Sequence, residues 1–373
     1  MSDRKLSFLG IAAVISVVLA VVVSQYANKS KPAASATGAL IQGLDPSAVQ
    51  KIIVKQEDNV VTLNRRKDGF VIAEKAGYPA ANKVVNNLFT SSLDIKIVEL
   101  YTEDEKNYKD LGVTEEESKG SIQFFGADDK LITGFIIGKD TESGKGSYAY
   151  GKLFNDKKVY VLSDVPWIQG PAVDYMNKDL IYVKKENIDW VTVAGPNDFY
   201  SLVSDANGAI VKLKELPAGK KQKDSECSQV LGALSNLRFD DVMAESEAKD
   251  LVFDRKYNLK MKDSTLINLE IAKKDSDTFI KCKAEFTDKT QVTKEEGVES
   301  QEALKQKEAK LLAMENAKKL HDSAKGWVFK IPSYMADNIT KPMAELVEDI
   351  PVEKPADANE VNEPNGLDTA KEI

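Results

Sequence analysis

Residues 51–74 read KIIVKQEDNVVTLNRRKDGFVIAE, and this stretch decides the fold class. It divides into three short runs rich in β-branched residues, KIIVKQ, VVTLNR and GFVIAE, which are typical of strands. Asp58-Asn59 and Asp68-Gly69 separate the runs, and an Asp-Gly pair is a strong hairpin signal. The stretch therefore predicts three consecutive strands joined by tight turns.

A helix and further strands are predicted after these three. Residues 78–93, YPAANKVVNNLFTSSL, carry a proline suited to a helix start. Their apolar residues recur at helical spacing, at Val84, Val85, Leu88 and Phe89. Strand candidates follow, with the sequences IKIVELY, SIQFFG, KLITGFIIG, SYAYGK and KKVYVLS. Together these segments predict a mostly antiparallel sheet with one covering helix, which is the α+β class.

The same order of segments recurs later in the chain. IDWVTVA, DFYSLVS and GAIVKLK match the opening strands, SECSQVLGALSNL matches the helix, and FDDVMAE matches the strand after it. RKYNLKMK, TLINLEIAK and TFIKCKAEF match later strands, and WVFKIPSYMADNI matches VYVLSDVPWIQG. We therefore predict two repeated modules, at residues 44–183 and 184–350.

A polar segment at about residues 290–325 interrupts the second module. Its Ala, Glu, Lys, Gln and Leu content favours a helix. Leu304, Leu311, Met314 and Ala317 share one side, whereas Leu312 and Leu320 lie on the other. Two interpretations stay open, an exposed helical excursion and an arm that binds a partner.

The N-terminal segment predicts a membrane anchor. Residues 6–23 read LSFLGIAAVISVVLAVVV and carry no charge. At about 1.5 Å of rise per residue, a helix of this length nearly crosses the hydrocarbon core. The residues predicted to face lipid are Leu6, Phe8, Ile11, Val14, Ile15, Val18, Leu19, Val22 and Val23. A cleaved signal is the alternative, with its best small-residue cleavage site at Ala34-Ser35-Ala36.

Arg4 and Lys5 precede the apolar run, so the positive-inside rule places the N-terminus in the cytoplasm. The expected location is the bacterial inner membrane, crossed once, with the bulk of the chain periplasmic. Residues 1–27 would form the cytoplasmic stub and anchor, and residues 28–43 a linker. Residues 351–373 are acidic and rich in Pro and Asn, which predicts a disordered tail.

Composition excludes several classes of function. The net charge is -8, and an acidic surface argues against nucleic-acid binding. The single histidine, His321, lies in a charged helical stretch, which argues against a His-based metal site or a Ser-His-Asp site. We predict no catalytic residue, cofactor or metal. The expected partners are the lipid bilayer, through the N-terminal helix, and a protein of the membrane or envelope.

Two features of the side chains leave alternatives open. Cys227 and Cys282 could form one disulfide in an exported chain or remain buried thiols. Tyr148 and Tyr150 share a strand face, with Tyr160 on the next strand. These tyrosines could form a platform for a glycan or peptide, or pack across strands in the ordinary way.

Several of these segments carry a family resemblance. The apolar N-terminus, VVTLNRRKDGFVIAE, the helix at 78–93, KNYKDLGV, ITGFIIGK and KVYVLSD resemble the bacterial domain-of-unknown-function 4340 family. The likeness covers about residues 44–183, and residues 188–348 more weakly as a second copy. The resemblance implies a single-pass envelope protein without catalytic residues. Since members often accompany ABC-type transporters of the gliding-motility kind, it also implies an accessory role.

The sequence therefore predicts a membrane-anchored, extracytoplasmic binding or scaffolding protein rather than an enzyme. The expected role is an accessory subunit of an ABC-type envelope transport complex, whose sheet surfaces and edges meet a partner. One alternative is an envelope hydrolase that uses carboxylates on wall or glycan. Another is a structural spacer.

Overall fold

The computed structural model describes residues 38–141, 148–205, 207–293 and 300–350. The predicted anchor at residues 6–23 and the predicted tail at 351–373 lie outside the described residues. Within the part of the chain that is described, no helix has both the length and the apolar character needed to cross a membrane.

The strands before residue 185 are β1 (Gly38–Ala39), β2 (Lys51–Gln56), β3 (Asn59–Arg66), β4 (Gly69–Ile72), β5 (Tyr78–Pro79), β6 (Lys96–Thr102), β7 (Gly120–Phe125), β8 (Leu131–Asp140), β9 (Ala149–Leu153), β10 (Val159–Ser163) and β11 (Asp179–Ile181). The later strands are β12 (Ile188–Ala194), β13 (Phe199–Ser204), β14 (Val211–Leu213), β15 (Lys220–Gln222), β16 (Leu237–Arg238), β17 (Asp241–Ala244), β18 (Phe253–Met261), β19 (Thr265–Lys274), β20 (Asp277–Phe286), β21 (Trp327–Ile331) and β22 (Val347–Asp349). The α-helices are α1 (Asn82–Leu93), α2 (Tyr108–Leu111), α3 (Asp224–Leu231), α4 (Gln301–Ala324) and α5 (Ser333–Ile339).

The chain forms two compact units that do not follow two contiguous ranges. The first unit holds the described residues between 38 and 180 together with residues 238–251 and 326–332, which carry β17 and β21. The second unit holds the described residues of 181–237, 252–325 and 333–350. This division differs from a single boundary near residue 183.

An aromatic cluster explains why the two short later segments belong to the first unit. The ring of Tyr78 lies 5.9 Å from that of Phe239, 5.0 Å from that of Trp327 and 6.3 Å from that of Phe329. Edge-to-face contacts of this kind stabilise beyond the area that they bury. Local sequence patterns do not predict contacts between residues so far apart along the chain.

The first unit contains a ten-stranded antiparallel sheet. Its strand order is β1-β6-β10-β9-β8-β7-β2-β3-β4-β5. The predicted helix is confirmed as α1, which buries Val85, Leu88 and Phe89. The Phe89 ring stacks 5.4 Å from that of Phe124 on β7, and therefore ties the helix to the centre of the sheet.

Six strands of the second unit pair antiparallel in the order β14-β13-β12-β18-β19-β20. The covering helix α3 begins close to the predicted start but ends at Leu231, where the N–H of Gly232 donates to the carbonyl of Ser228 at 3.1 Å. Leu234 and Leu237, which the pattern places on the helix, are fully buried, in the turn after it and at the start of β16. The hydroxyl of Tyr257 on β18 donates to the carbonyl of Val230, 2.7 Å away.

The polar segment of the second unit forms the long helix α4. Ser300 caps its first turn by accepting from the backbone N–H of Ala303 at 3.2 Å. The buried residues of the helix are three alanines, whereas the leucines at 304, 311 and 312 are about half exposed. The lysine at 310 pairs with Asp288, 2.6 Å apart, close to the end of β20. The helix thus rests on its small residues rather than on its leucines.

The α+β class with mostly antiparallel sheets and few helices is confirmed.

Candidate binding clefts

The first cleft lies in the first unit, where β2, β7, β8 and β9 end or begin side by side. It encloses about 480 Å³. Its floor is apolar and includes Ile137, Ala149 and Ile168, each of which is buried. An apolar floor with a few polar groups at the rim is the usual composition of a binding pocket.

The chain after β10 forms one wall of this cleft. Ile168 packs against Gly120 so closely that a Cβ at Gly120 would lie 2.9 Å from the Cδ1 of Ile168. The same Cβ would lie 2.8 Å from the carbonyl oxygen of Lys55. The close approach of the 165–168 segment to the sheet therefore depends on the absence of a side chain at Gly120.

Trp167 stands between two concave surfaces of the first unit. Its side chain is 85% exposed, the highest value for a large apolar side chain among the described residues. It lines the first cleft and also a neighbouring depression of about 420 Å³ beside α1. Pro166 before it restricts the backbone and the buried Ile168 after it anchors the chain, so the indole is held outward.

The rim of the first cleft carries three charged side chains. Lys119 and Asp140 form an ion pair with 2.6 Å between nitrogen and oxygen, and both side chains are at least half exposed. Such an exposed pair contributes little to stability. Glu57 sits at the β2–β3 turn with a left-handed φ of 53°. Its carboxylate has no ion-pair partner within the described residues, so the rim keeps an unneutralised negative charge.

The second cleft lies in the second unit and encloses about 230 Å³. Its walls come from the loop at residues 195–198, the start of β18 and the second half of β19. Residues 339–342 complete the lining. Arg255 contributes its guanidinium, whose Nε is buried without a hydrogen-bond partner. The nearest carboxylate oxygen, Oδ1 of Asp254, lies 3.6 Å away, which is too far for a hydrogen bond.

Other charged groups of the second cleft already have partners. Asp198 accepts from the backbone N–H of Met343 through Oδ2 at 2.6 Å. Lys341 pairs with Glu226, with 2.5 Å between Nζ and Oε2, and its side chain is only 11% exposed. The hydroxyl of Tyr200 donates to the carbonyl of Lys341 at 2.7 Å. These bonds hold the two sides of the cleft in place.

Tyr148 and Tyr150, two of the three tyrosines singled out in the sequence, have different surroundings. Tyr148 lines the first cleft. Tyr150 instead contacts Tyr101, 4.6 Å between ring centroids, and packs against the small apolar cluster that contains Leu111. Cross-strand packing therefore describes Tyr150, with Tyr101 rather than Tyr160 as its partner.

Both cysteines are buried free thiols in the structure. Burial raises the pKa of the Cys227 thiol to about 11 and that of the Cys282 thiol to about 12. His321 is half-buried in the last turn of α4, where its carbonyl accepts from the N–H of Lys325. Across residues 38–141, 148–205, 207–293 and 300–350, no group of three or more His, Cys, Asp or Glu side chains is arranged to hold a metal ion.

Side chains occupy several backbone groups at the sheet edges. The amide of Gln222 accepts from the N–H of Leu213 at 2.9 Å and donates to the carbonyl of Val211 at 2.8 Å, so it covers the outer edge of β14. Glu215 accepts from the N–H of Ser201 at 2.7 Å. An incoming strand could not use these groups without displacing the side chains. The clefts are therefore better candidates for binding than these edges.

Sequence reasoning singled out neither Trp167 nor Arg255 as a candidate residue of a cleft. Pro166-Trp167 directly after a strand resembles an ordinary rim or core tryptophan, and only the contact of Ile168 with the sheet determines that the indole points outward. The signal present in the sequence was a tryptophan directly after a proline in the connection that follows β10.

The comparisons with other proteins place the family. No match to this chain was found among curated proteins or among solved structures. The family model described as "Domain of unknown function (DUF4340)" matches residues 71–261, just over half of the chain. The matched region includes parts of both compact units. The chain therefore belongs to the DUF4340 family.

Proposed function

We propose that this chain is a membrane-anchored, extracytoplasmic binding and scaffolding protein, an accessory subunit of an ABC-type envelope transport complex. The observation that carries the binding role is Trp167, held out above a cleft with an apolar floor. The apolar run at residues 6–23 supports the anchor and the periplasmic location. The link to a transporter rests on the family resemblance.

The chemistry of the first cleft suits a protein partner. Tryptophan is among the residues that contribute most to protein interfaces, because it buries a large area at a small loss of conformational freedom. Covering the Trp167 side chain would supply about 2 kcal/mol, by the free energy of burying apolar area. Polar side chains around the floor, among them Gln56 and Lys119, would form the rim of such an interface.

In this proposal the two units are copies of one module. Their strand orders support it, since β4-β3-β2-β7-β8-β9 in the first unit corresponds to β14-β13-β12-β18-β19-β20 in the second. Along the chain, the covering helix α1 comes after β4 in the first unit, and α3 comes after β14 in the second. A scaffolding protein with two related modules would offer two related surfaces to the complex.

An edge-capping carboxylate supports the same correspondence. Leu63 pairs with Ile72 in the first unit, and Leu202 pairs with Leu213 in the second. In the first unit Glu74, two residues after Ile72, accepts the backbone N–H of Thr62, the residue before Leu63. In the second unit Glu215, two residues after Leu213, accepts the backbone N–H of Ser201, the residue before Leu202.

A photo-crosslinking amino acid at Trp167 of the full-length chain tests the binding role in intact cells. We expect an adduct whose second chain, identified by mass spectrometry, is a component of an ABC-type transporter. The matched control places the same amino acid at Tyr182, which is 73% exposed and outside the clefts. Equal adducts at both positions, or none at residue 167, would leave the chain as a structural spacer.

A reporter that is active only outside the cytoplasm, fused to the C-terminus, tests the location. We expect activity in the full-length fusion and none when residues 6–23 are deleted. A reporter that faces the cell interior would overturn the periplasmic placement together with the anchor.

One observation favours an envelope hydrolase as a second candidate. Glu57 and Asp140 both line the first cleft, and paired carboxylates perform glycoside hydrolysis. Against this role, Asp140 is already paired with Lys119. Release of sugar from purified cell wall by the wild-type chain, abolished in Glu57→Gln, would favour the hydrolase; equal inactivity of both would favour the binding protein.

A further inference from the structure

The rim of the first cleft has more carboxylates than cations. Its lining contains one cation, Lys119, whose ammonium already pairs with Asp140 at 2.6 Å. Glu57 and the next residue, Asp58, are both exposed at the β2–β3 turn, and neither carboxylate has an ion-pair partner within the described residues. The first cleft therefore keeps a negative charge that no cation of its lining neutralises.

The depression beside α1, on the other side of Trp167, is negative as well. It is lined by Asp94, the residue that caps the C-terminal end of α1. A helix C-terminus carries a partial negative charge, so a carboxylate at this position is electrostatically unfavourable. Lys96 is near Asp94, but its ammonium pairs with Asp164 at 2.9 Å. A cation bound in this depression would therefore relieve an existing repulsion.

The indole between the two concave surfaces is itself open to a cation. The face of a tryptophan ring attracts cations more strongly than the faces of the other aromatic side chains. In the same unit, Arg65 lies 4.5 Å from the ring centroid of Phe70, and Lys51 lies 4.6 Å from that of Phe125. No lysine or arginine among the described residues lies over the ring of Trp167, whose side chain is 85% exposed.

We propose that the Trp167 surface, which comprises the first cleft, the depression beside α1 and the indole between them, binds a basic segment of a partner protein. This inference rests on the binding role proposed above and specifies the chemistry of the partner. An arginine or lysine of the segment lies over the indole, with its aliphatic stem against the apolar floor. Further basic side chains meet Glu57 on one side and Asp94 on the other. An acidic segment would place like charges against these carboxylates and would be rejected.

Isothermal titration calorimetry of the full-length chain in a non-ionic detergent tests this proposal. The probe is the acetylated and amidated pentapeptide Leu-Arg-Leu-Arg-Leu. The matched peptide carries citrulline in place of arginine, which keeps the size of the side chain but removes its charge. We expect the citrulline peptide to bind about tenfold more weakly. The affinity of the arginine peptide should also fall as sodium chloride is added, because salt screens exposed charges.

Variants of exposed residues locate the peptide on this surface. Trp167→Leu keeps an apolar side chain but loses the ring face, so we expect Kd to rise about fivefold. Glu57→Gln combined with Asp94→Asn should also raise Kd about fivefold, because two attractive charges are lost. Glu285→Gln combined with Asp250→Asn is the matched control. It removes the same charge at exposed positions outside both concave surfaces and should leave Kd nearly unchanged.

Three results would overturn the basic segment as the partner. Equal affinities of the arginine and citrulline peptides would indicate an uncharged apolar partner instead. Equal effects of the two charge-removing pairs would indicate general attraction to an acidic chain, and an arginine peptide that does not bind would exclude the segment directly. The binding role itself is tested separately by crosslinking at residue 167, so its failure is distinguishable from the failure of this inference.

Discussion

Both carboxylate oxygens of Glu74 accept the backbone N–H of Thr62, at 2.9 and 3.0 Å. Thr62 lies one residue before Leu63, at the point where the pairing of β3 with β4 ends. The carboxylate thus occupies a backbone donor that would otherwise be exposed at a sheet edge. Such donors attract strands from other chains, and charged side chains at an edge prevent that association.

Glu74→Ala should lower the free energy of unfolding of the first unit by about 1 kcal/mol, because one charge-assisted hydrogen bond is lost. The measurement is the urea midpoint, followed by circular dichroism. Glu103→Ala, an exposed glutamate near the end of β6, provides the control and should leave the midpoint unchanged. An equal effect of both substitutions would mean that general charge, not the edge bond, sets the stability.

Phe89→Ala should destabilise the first unit by about 3–4 kcal/mol, the usual cost of truncating a buried phenylalanine. The Phe89 ring lies 5.4 Å from that of Phe124 and 6.3 Å from that of Phe70, so its loss leaves a cavity between α1 and the sheet. Thermal unfolding measures the effect, and Tyr182→Ala serves as the exposed control. A shift in Tm no larger than that of the control would contradict this packing.

Gly120→Ala should displace the chain segment that carries Trp167. The added methyl would meet the carbonyl of Lys55 and the Cδ1 of Ile168 at less than 3.0 Å, so one of them must move. We expect weaker crosslinking at residue 167 and a stability loss of about 1–3 kcal/mol from overpacking. Gly38→Ala is the matched control, since the nearest atom to its new Cβ would lie 3.8 Å away. Unchanged crosslinking in Gly120→Ala would show that the segment does not depend on this contact.

The buried thiol of Cys282 should make stability decline in alkali. Its pKa is raised by burial from an ordinary value of 9.0 to about 12, so the unfolded chain loses this proton first. The contribution to stability is complete below about pH 9 and is lost as pH rises toward the folded-state pKa, by up to about 1.4 kcal/mol per pH unit. The stability advantage of wild type over Cys282→Ala should therefore shrink between pH 9 and 10.5, measured by urea midpoints. A constant difference across that interval would show that the thiol does not titrate in this way.

The local elements were predictable because their signals lie within short windows. Runs of β-branched residues separated by turn residues predicted β2 and β3, and the spacing of Val85, Leu88 and Phe89 predicted α1. The end of α3 was predicted too late, because the apolar spacing continues through Leu234 and Leu237 although the helix ends at Leu231. The buried leucines continue beyond the end of the helix. Apolar periodicity alone does not distinguish buried residues within a helix from buried residues in the segment that follows it.

The amino-acid order by itself determined the α+β class, the local hairpins β2–β3 and β3–β4 and the helix α1, since each depends on residues close together along the chain. Tertiary structure alone decided that Trp167 points to solvent, that Arg255 keeps an unsatisfied Nε, and that β17 and β21 join the first compact unit. Those outcomes depend on contacts such as Gly120 with Ile168 and Tyr78 with Trp327. Residues so distant along the chain come into contact only when the sheets form, and local periodicity does not predict which of them will be in contact.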